Sequence, residues 1–238
     1  MSANPTLVVD DIHTYYGESY VLQGVSLKVE PGTIAAVLGR NGVGKTTLIR
    51  SVIAFTPPRR GKIVFENQDI TRWTSYRIAQ AGMGLVPQGR RIFISLSVRE
   101  NLEIARRAAT GGNEGWTIDS VLDLFPRLRE RMRNSAGTLS GGEQQMLAVA
   151  RALVGNGRLL LMDEPTEGLS PHVVEELRQL IRRLRDGGMA ILLVEQNINF
   201  AIESADYVYV MDKGKIVFDG LPSDLAANND VKETYLGV

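Results

Sequence analysis

Gly39-Arg40-Asn41-Gly42-Val43-Gly44-Lys45-Thr46 stands between two segments of opposite character. Thr33 to Leu38, just before it, is a short apolar run of the kind that makes a buried strand. Thr46 to Phe55, after it, has helical spacing and stops ahead of Pro57-Pro58. A G-x-x-x-x-G-K-T loop in a strand–loop–helix setting is built to wrap phosphate. Its glycines let the backbone curl so that successive N–H groups point inward, and the following helix adds its positive N-terminal end. Lys45 supplies a point charge for the outer phosphates of a nucleoside triphosphate. The Thr46 hydroxyl is a ligand for Mg²⁺, and Thr47 completes the phosphate-binding set.

A phosphate cradle is not yet a catalyst. Hydrolysis also needs a second metal contact and a positioned water. Leu159-Leu160-Leu161-Met162-Asp163-Glu164 meets both needs, because four apolar residues make a buried strand that delivers two carboxylates at its end. Asp163 is expected to hold Mg²⁺ and Glu164 to orient and deprotonate the attacking water. Pro165 stops the strand there.

The bulk numbers set limits around these motifs. With 238 residues the chain is long enough for one large domain or two lobes sharing a core. Lys and Arg number 27, as do Asp and Glu, so there is no basic footprint of the sort general nucleic-acid binding requires. Cysteine is absent, which excludes disulfides and thiolate metal sites. Met1 to Asp10 lacks the charged start and long apolar stretch of a signal peptide. The longest apolar runs, such as Met189 to Val194, fall far short of the roughly 20 residues that span a bilayer. The expectation is a cytoplasmic protein whose membrane connection, if it has one, comes through a partner.

Around the loop, Leu7 to Tyr16 and Val21 to Val29 read as strands, as do Gly61 to Asn67 and Met83 to Pro87. Val98 to Ala109 and Ile118 to Arg133 are helical by spacing, rich in Arg and joined through Gly111-Gly112-Asn113; they suggest a helical insertion into an α/β core. Glu143 to Val154 and Val173 to Arg185 read as helices, Met189 to Val194 as a buried strand, and Tyr207 to Met211 with Lys215 to Phe218 as a hairpin about Asp212-Lys213-Gly214. Strands alternating with helices imply a largely parallel sheet.

Leu139-Ser140-Gly141-Gly142-Glu143-Gln144 opens the helix after the insertion, with Ser140 and Glu143 spaced as a capping box. Two glycines there expose N–H groups able to grip a second phosphate surface. With the loop and the carboxylate pair, this hexapeptide resembles the signature of the ATP-binding cassette (ABC) ATPases, and the resemblance covers essentially the whole chain. It implies an α/β P-loop fold with a mixed, mostly parallel sheet, an antiparallel β subdomain and an inserted helical lobe. The core lobe would comprise residues 1–88 and 138–238, and the helical lobe residues 89–137. In that family two domains pair head to tail, with ATP between one subunit's phosphate loop and the other's signature. The implied contacts to the partner-held nucleotide are Leu139, Ser140, Gly141, Gly142 and Glu143. Tyr16 matches the aromatic that stacks on adenine, and Gln88 the glutamine that reaches Mg²⁺ or the water. Two positions depart from the common pattern. Ser170 replaces an Asp after the catalytic Glu, and Gln196 replaces a switch histidine. Glutamine can bond a γ-phosphate but does not titrate near neutral pH, which moves weight to Glu164. His13 and His172 read as surface or structural residues.

Tyr15-Tyr16-Gly17, Gly89-Arg90-Arg91-Ile92-Phe93 and Val194-Glu195-Gln196-Asn197 are similar to one branch, the ATPase subunits of bacterial branched-chain (hydrophobic) amino-acid importers. So is the ending Val231-Lys232-Glu233-Thr234-Tyr235-Leu236-Gly237. The same branch includes ATPases of urea and short-chain amide importers. The resemblance implies a second ATPase subunit, the same or a paralogue, with two transmembrane permease subunits and, indirectly, a periplasmic binding protein. The chain would sit on the inner face of the membrane, against the permeases near Gln88 to Phe93. Arg90, Arg91, Arg106 and Arg107 are open between a permease contact and a solvated basic face. A soluble ABC protein acting on DNA or ribosomes is the rival of another class, and the chain lacks the long coiled-coil insertion or second cassette usual there. The signature and the paired carboxylates argue against a P-loop kinase or a nucleotide-gated binding module.

Overall fold

The computed structural model describes residues 4–108 and 115–237. Its frame is a six-stranded sheet in the order β10-β9-β3-β8-β7-β6. These strands are β3 (Ile34–Leu38), β6 (Met83–Val86), β7 (Leu159–Asp163), β8 (Ala190–Glu195), β9 (Tyr207–Asp212) and β10 (Lys215–Gly220). All neighbours run parallel except β9 and β10, which form the expected hairpin. A second, antiparallel sheet in the order β2-β1-β4-β5 contains β1 (Leu7–Tyr16), β2 (Ser19–Val29), β4 (Arg60–Phe65) and the two-residue β5 (Gln68–Asp69).

Strand residues sort onto the two faces of the main sheet with period two. Ile34, Ala36 and Leu38 of β3, Leu160 and Met162 of β7, and Ile191 and Leu193 of β8 face one apolar layer. Helices α6 (Gly141–Leu153), α7 (Pro171–Asp186) and α8 (Ile198–Ser204) supply the other side of that layer. Ala35, Val37, Leu159, Leu161, Leu192 and Val194 face a second layer. It is filled by α1 (Lys45–Val52) and by the inward residues of the antiparallel sheet, among them Leu7, Leu22, Ile63 and Phe65. β3, β7 and β8 are buried on both faces, which is why they read as continuous apolar runs rather than alternating ones.

Between β6 and β7 lie α3 (Val98–Ala105), α4 (Ile118–Leu124) and α5 (Pro126–Glu130), and each packs on α6. The single helix expected over Ile118 to Arg133 is two short ones. Pro126 cannot donate its backbone N–H, and Phe125, at φ −128° and ψ 69°, ends α4 and begins α5 at the same residue. The helix expected to run to Ala109 ends at Ala105; Ala109 and Gly111-Gly112-Asn113 lie outside the described residues. Short helices without a counterpart in the sequence reading include α2 (Ser75–Gln80), α8 and α9 (Pro222–Ala227). No helix among the described residues is long and apolar enough to cross a membrane.

Candidate functional site

Because β3, β6, β7 and β8 are parallel, their carboxyl ends share one edge of the sheet, the edge where open α/β folds place ligands. That edge collects the loop after Leu38, Pro87-Gln88 after Val86, Asp163-Glu164 after Met162, and Glu195-Gln196 after Val194.

The loop is shaped by close approach. A methyl group on Gly39 would lie 2.5 Å from the Met211 carbonyl oxygen and 2.8 Å from Val43. Gly42 and Gly44 take φ of 82° and 116°, the left-handed region that favours glycine. Lys45 is 4% exposed; its ammonium donates to the carbonyls of Gly39 at 2.9 Å and Arg40 at 3.0 Å and pairs with Glu164 at 2.9 Å. Thr46 donates its hydroxyl to Asp163 at 3.1 Å. Arg40 extends away from the loop toward the chain end, where its Nη2 would meet a methyl on Gly237 at 2.6 Å. Thr47 is buried beneath the loop, while Asn41 is exposed.

Glu164 sits just past β7 at φ 46°, a strained conformation for a residue with a side chain, and its N–H donates to Val194 O at 2.8 Å. Gln88 donates from Nε2 to Glu164 and to Glu167, both at 3.1 Å. Burial pushes the Asp163 carboxyl up to about 6, with the Glu164 charge adding to the rise; the bond from Thr46 and the charges of Lys45 and Arg91 oppose it. A carboxylate so placed gains from a nearby cation, and hydroxyl, amide and carboxylate oxygens from Thr46, Gln88 and Asp163 are the hard donors Mg²⁺ prefers. This donor set fits Mg²⁺ although no group of three or more His, Cys, Asp and Glu occurs among the described residues.

Residues 22–167 match the family described as ABC transporter. The chain belongs to that family. It is 40% identical to the high-affinity branched-chain amino acid transport ATP-binding protein BraG of Pseudomonas aeruginosa over 97% of this chain and 99% of that protein. It is 37% identical to the probable branched-chain amino acid transport ATP-binding protein LivF of Archaeoglobus fulgidus, over 94% of this chain and 95% of that one. Among solved structures, a nucleotide-free ATP-binding cassette from an ABC transporter superposes with a TM-score of 0.86 at 26% identity, covering 97% and 98% of the two chains. The chain is thus an ABC ATPase that binds ATP and couples its hydrolysis to transport.

Among the described residues, no hydrogen bond joins Leu139 to Gln144 to the phosphate loop. Ser140 caps α6, accepting from the Glu143 N–H at 3.3 Å while its own N–H donates to Glu143 at 2.8 Å. Burial pushes the Glu143 carboxyl up, but the bonds from Ser140 and the Arg131 charge at 2.9 Å outweigh it, and the net shift is downward. Leu139 is buried behind the cap. Tyr16 leaves 40% of its surface exposed at the end of β1, with the Arg50 guanidinium 5.7 Å from its ring. Its neighbour Tyr15 is instead stacked on Tyr20 at 4.5 Å and covered by Arg59.

His13 contacts Asp11 and Tyr20, and His172 pairs with Glu176 on α7, both away from the loop. Gln196 is exposed beside β8, and its side chain makes no hydrogen bond among the described residues. What the sequence reading missed is Glu195. It is 2% exposed and accepts three backbone N–H groups, from Thr166 at 3.0 Å, Gln196 at 3.0 Å and Asn197 at 3.1 Å. One carboxylate thereby fastens the segment after Glu164 to the segment carrying Gln196. The available signal was a Glu closing a fully buried strand, where a charge must find partners.

Proposed function

We propose that this ATPase energises a bacterial importer of branched-chain or other hydrophobic amino acids through partner permeases. The observation that carries the reading is 40% identity to BraG across 97% of the chain. Val194-Glu195-Gln196-Asn197 and Gly89-Arg90-Arg91-Ile92-Phe93 support the same branch.

In this reading ATP lies over Gly39 to Thr47 with its base on Tyr16. Lys45 exchanges the two loop carbonyls and Glu164 for phosphate oxygens, so the Lys45–Glu164 pair opens as substrate enters. The freed Glu164 carboxylate, held by Gln88, takes the proton of the attacking water. Thr46, Gln88 and Asp163 would hold Mg²⁺, which would supply positive charge against the negative charge that develops on the phosphates. Gln196 bonds the γ-phosphate as a neutral donor. A second ATPase subunit, the same or a paralogue, presents its signature to this nucleotide, and this chain's signature, Leu139 to Glu143, serves the other site. Core residues 1–88 and 138–238 and a helical lobe of 89–137 are the corresponding lobes. Exposed Phe93 (45%), Ile94 (64%) and Ile104 (61%) belong to that lobe and are apolar side chains suited to meeting permease helices at the inner membrane surface.

The test is co-purification with the permeases encoded beside it, followed by ATPase assays in vesicles with the cognate binding protein. Stimulation by leucine, isoleucine or valine supports the reading. Stimulation by urea or an amide instead makes it the related importer type, and co-purification with ribosomes or DNA overturns transport altogether.

A further inference from the structure

Arg90, whose sequence context fits either a permease contact or a solvated basic face, is only partly exposed and turned inward onto the signature. A methyl group added at Gly141 would lie 3.1 Å from both Nη1 and Nη2 of Arg90 and 3.3 Å from its Cζ. The guanidinium therefore lies close over Gly141, and a side chain there would have to push it aside by a few tenths of an ångström. The next residue, Gly142, turns the other way: a methyl on it would lie 2.8 Å from Val173 of α7. Arg90 Nη1 also donates to Gln144 Oε1 at 3.4 Å, and its Nη2 would stand 3.7 Å from a methyl on Gly168, in the loop after Glu164.

The backbone carrying Arg90 is unusual. Gly89, Arg90 and Arg91 take φ of 73°, 66° and 45°, three left-handed residues in succession, two of them with side chains. Such a run persists only where its surroundings hold it. Two residues upstream, Gln88 bonds Glu164 and Glu167. Gln88 and Arg90 are thus joined by a segment reaching at most roughly 7 Å, one end on the hydrolytic carboxylate and the other on the signature.

We propose that Arg90 is a positioning residue that ties the signature helix to the Gln88 segment of the same subunit, so that the two ATP sites of the dimer sense one another. The proposal rests on the paired arrangement above, in which Glu164 serves this chain's ATP and the signature serves the partner's. Movement of Gln88 as one site fills or empties passes through Arg90 to Gly141, and so to the other site. Lysine would keep the charge but not the planar fork that lies against Gly141 and reaches Gln144.

The experiment is ATPase rate against ATP concentration for the wild type, Arg90→Ala and Arg90→Lys, using the chain with the ATPase subunit it pairs with. Affinity for a fluorescent ATP analogue is measured alongside. The wild type should be sigmoidal, with a Hill coefficient between one and two. Arg90→Ala should bring it to about one and lower kcat several-fold while analogue affinity holds within about twofold, and Arg90→Lys should restore part of both. An Arg90→Ala enzyme as cooperative as the wild type overturns the proposal. So does one whose analogue affinity falls in step with kcat, which marks a merely structural side chain. Should Arg90→Ala fail to fold, Arg90→Gln is judged by the same two criteria. A wild type with a Hill coefficient of one removes the paired reading itself, a result distinct from the loss of Arg90 alone.

Discussion

Lys45 and Glu164 face each other at 2.9 Å with 3% and 10% of their side chains exposed, so neither can lose the other cheaply. Removing one partner of a buried pair costs about 3–5 kcal/mol. Lys45→Ala should therefore abolish ATP binding, read by a fluorescent analogue, and also lower the unfolding midpoint. Glu164→Gln keeps an oxygen for Lys45 and should bind ATP normally while turnover falls by about 10²–10⁴; a full-rate enzyme would show that another group activates the water. Asp163 gives a test with the opposite sign. Its folded pKa of about 6 lies above the unfolded value of about 3.9, so ionisation destabilises the fold, by about 3 kcal/mol at full extent. That cost is present above pH 6, fades between pH 6 and 4, and is absent once both states are protonated. Without Mg²⁺ or nucleotide, Asp163→Asn should be more stable than the wild type at pH 8 in urea titrations, lose that advantage toward pH 4, and be inactive throughout.

Among the elements, the β9–β10 hairpin does more than turn the chain. Its two-residue turn is Lys213-Gly214, at φ 43° and 78°. The Gly214 N–H donates to Val43 O and its carbonyl accepts from Gln23, both at 2.8 Å, so the turn is bonded to the phosphate loop and to β2 at once. A methyl there would lie 1.8 Å from Val21 O. Gly214→Ala should cost about 2 kcal/mol or more in stability and weaken nucleotide binding through Val43, measured by thermal unfolding and analogue titration. The elements also show what patterns can carry. β3, β7 and β8 were legible because both faces are buried, and the start of α6 because Ser140 and Glu143 spell a cap. α2, α8 and α9 were not, since six or seven residues are too few to establish a helical period. Ile118 to Arg133 keeps helical spacing throughout, yet it is two helices because the missing N–H of Pro126 decides locally.

At the scale of the whole molecule, the proposed sharing of each ATP site between two subunits is tested directly by complementation. A Lys45→Ala chain has a dead loop and a sound signature; a Gly142→Asp chain has the reverse, because a side chain there presses on Val173 of α7 and displaces the signature backbone. Each should be inactive alone, and mixing them should restore part of the ATPase activity through dimers with one complete site. No recovery in mixtures that contain dimers would remove the shared-site arrangement. The sequence by itself determined the chemistry that lives in contiguous residues: the loop, the carboxylate pair and the capped signature, each a local pattern whose spacing is its geometry. It could not determine which side chains meet across the sheet. The Lys45–Glu164 pair, the bond from the Thr166 N–H to Glu195, and the seat of Arg90 on Gly141 join residues 29 to 119 positions apart at the closest and farthest. Only the parallel order of the strands brings those residues to one edge, because contacts so distant in sequence are set by packing of whole layers and leave no periodic trace in the chain.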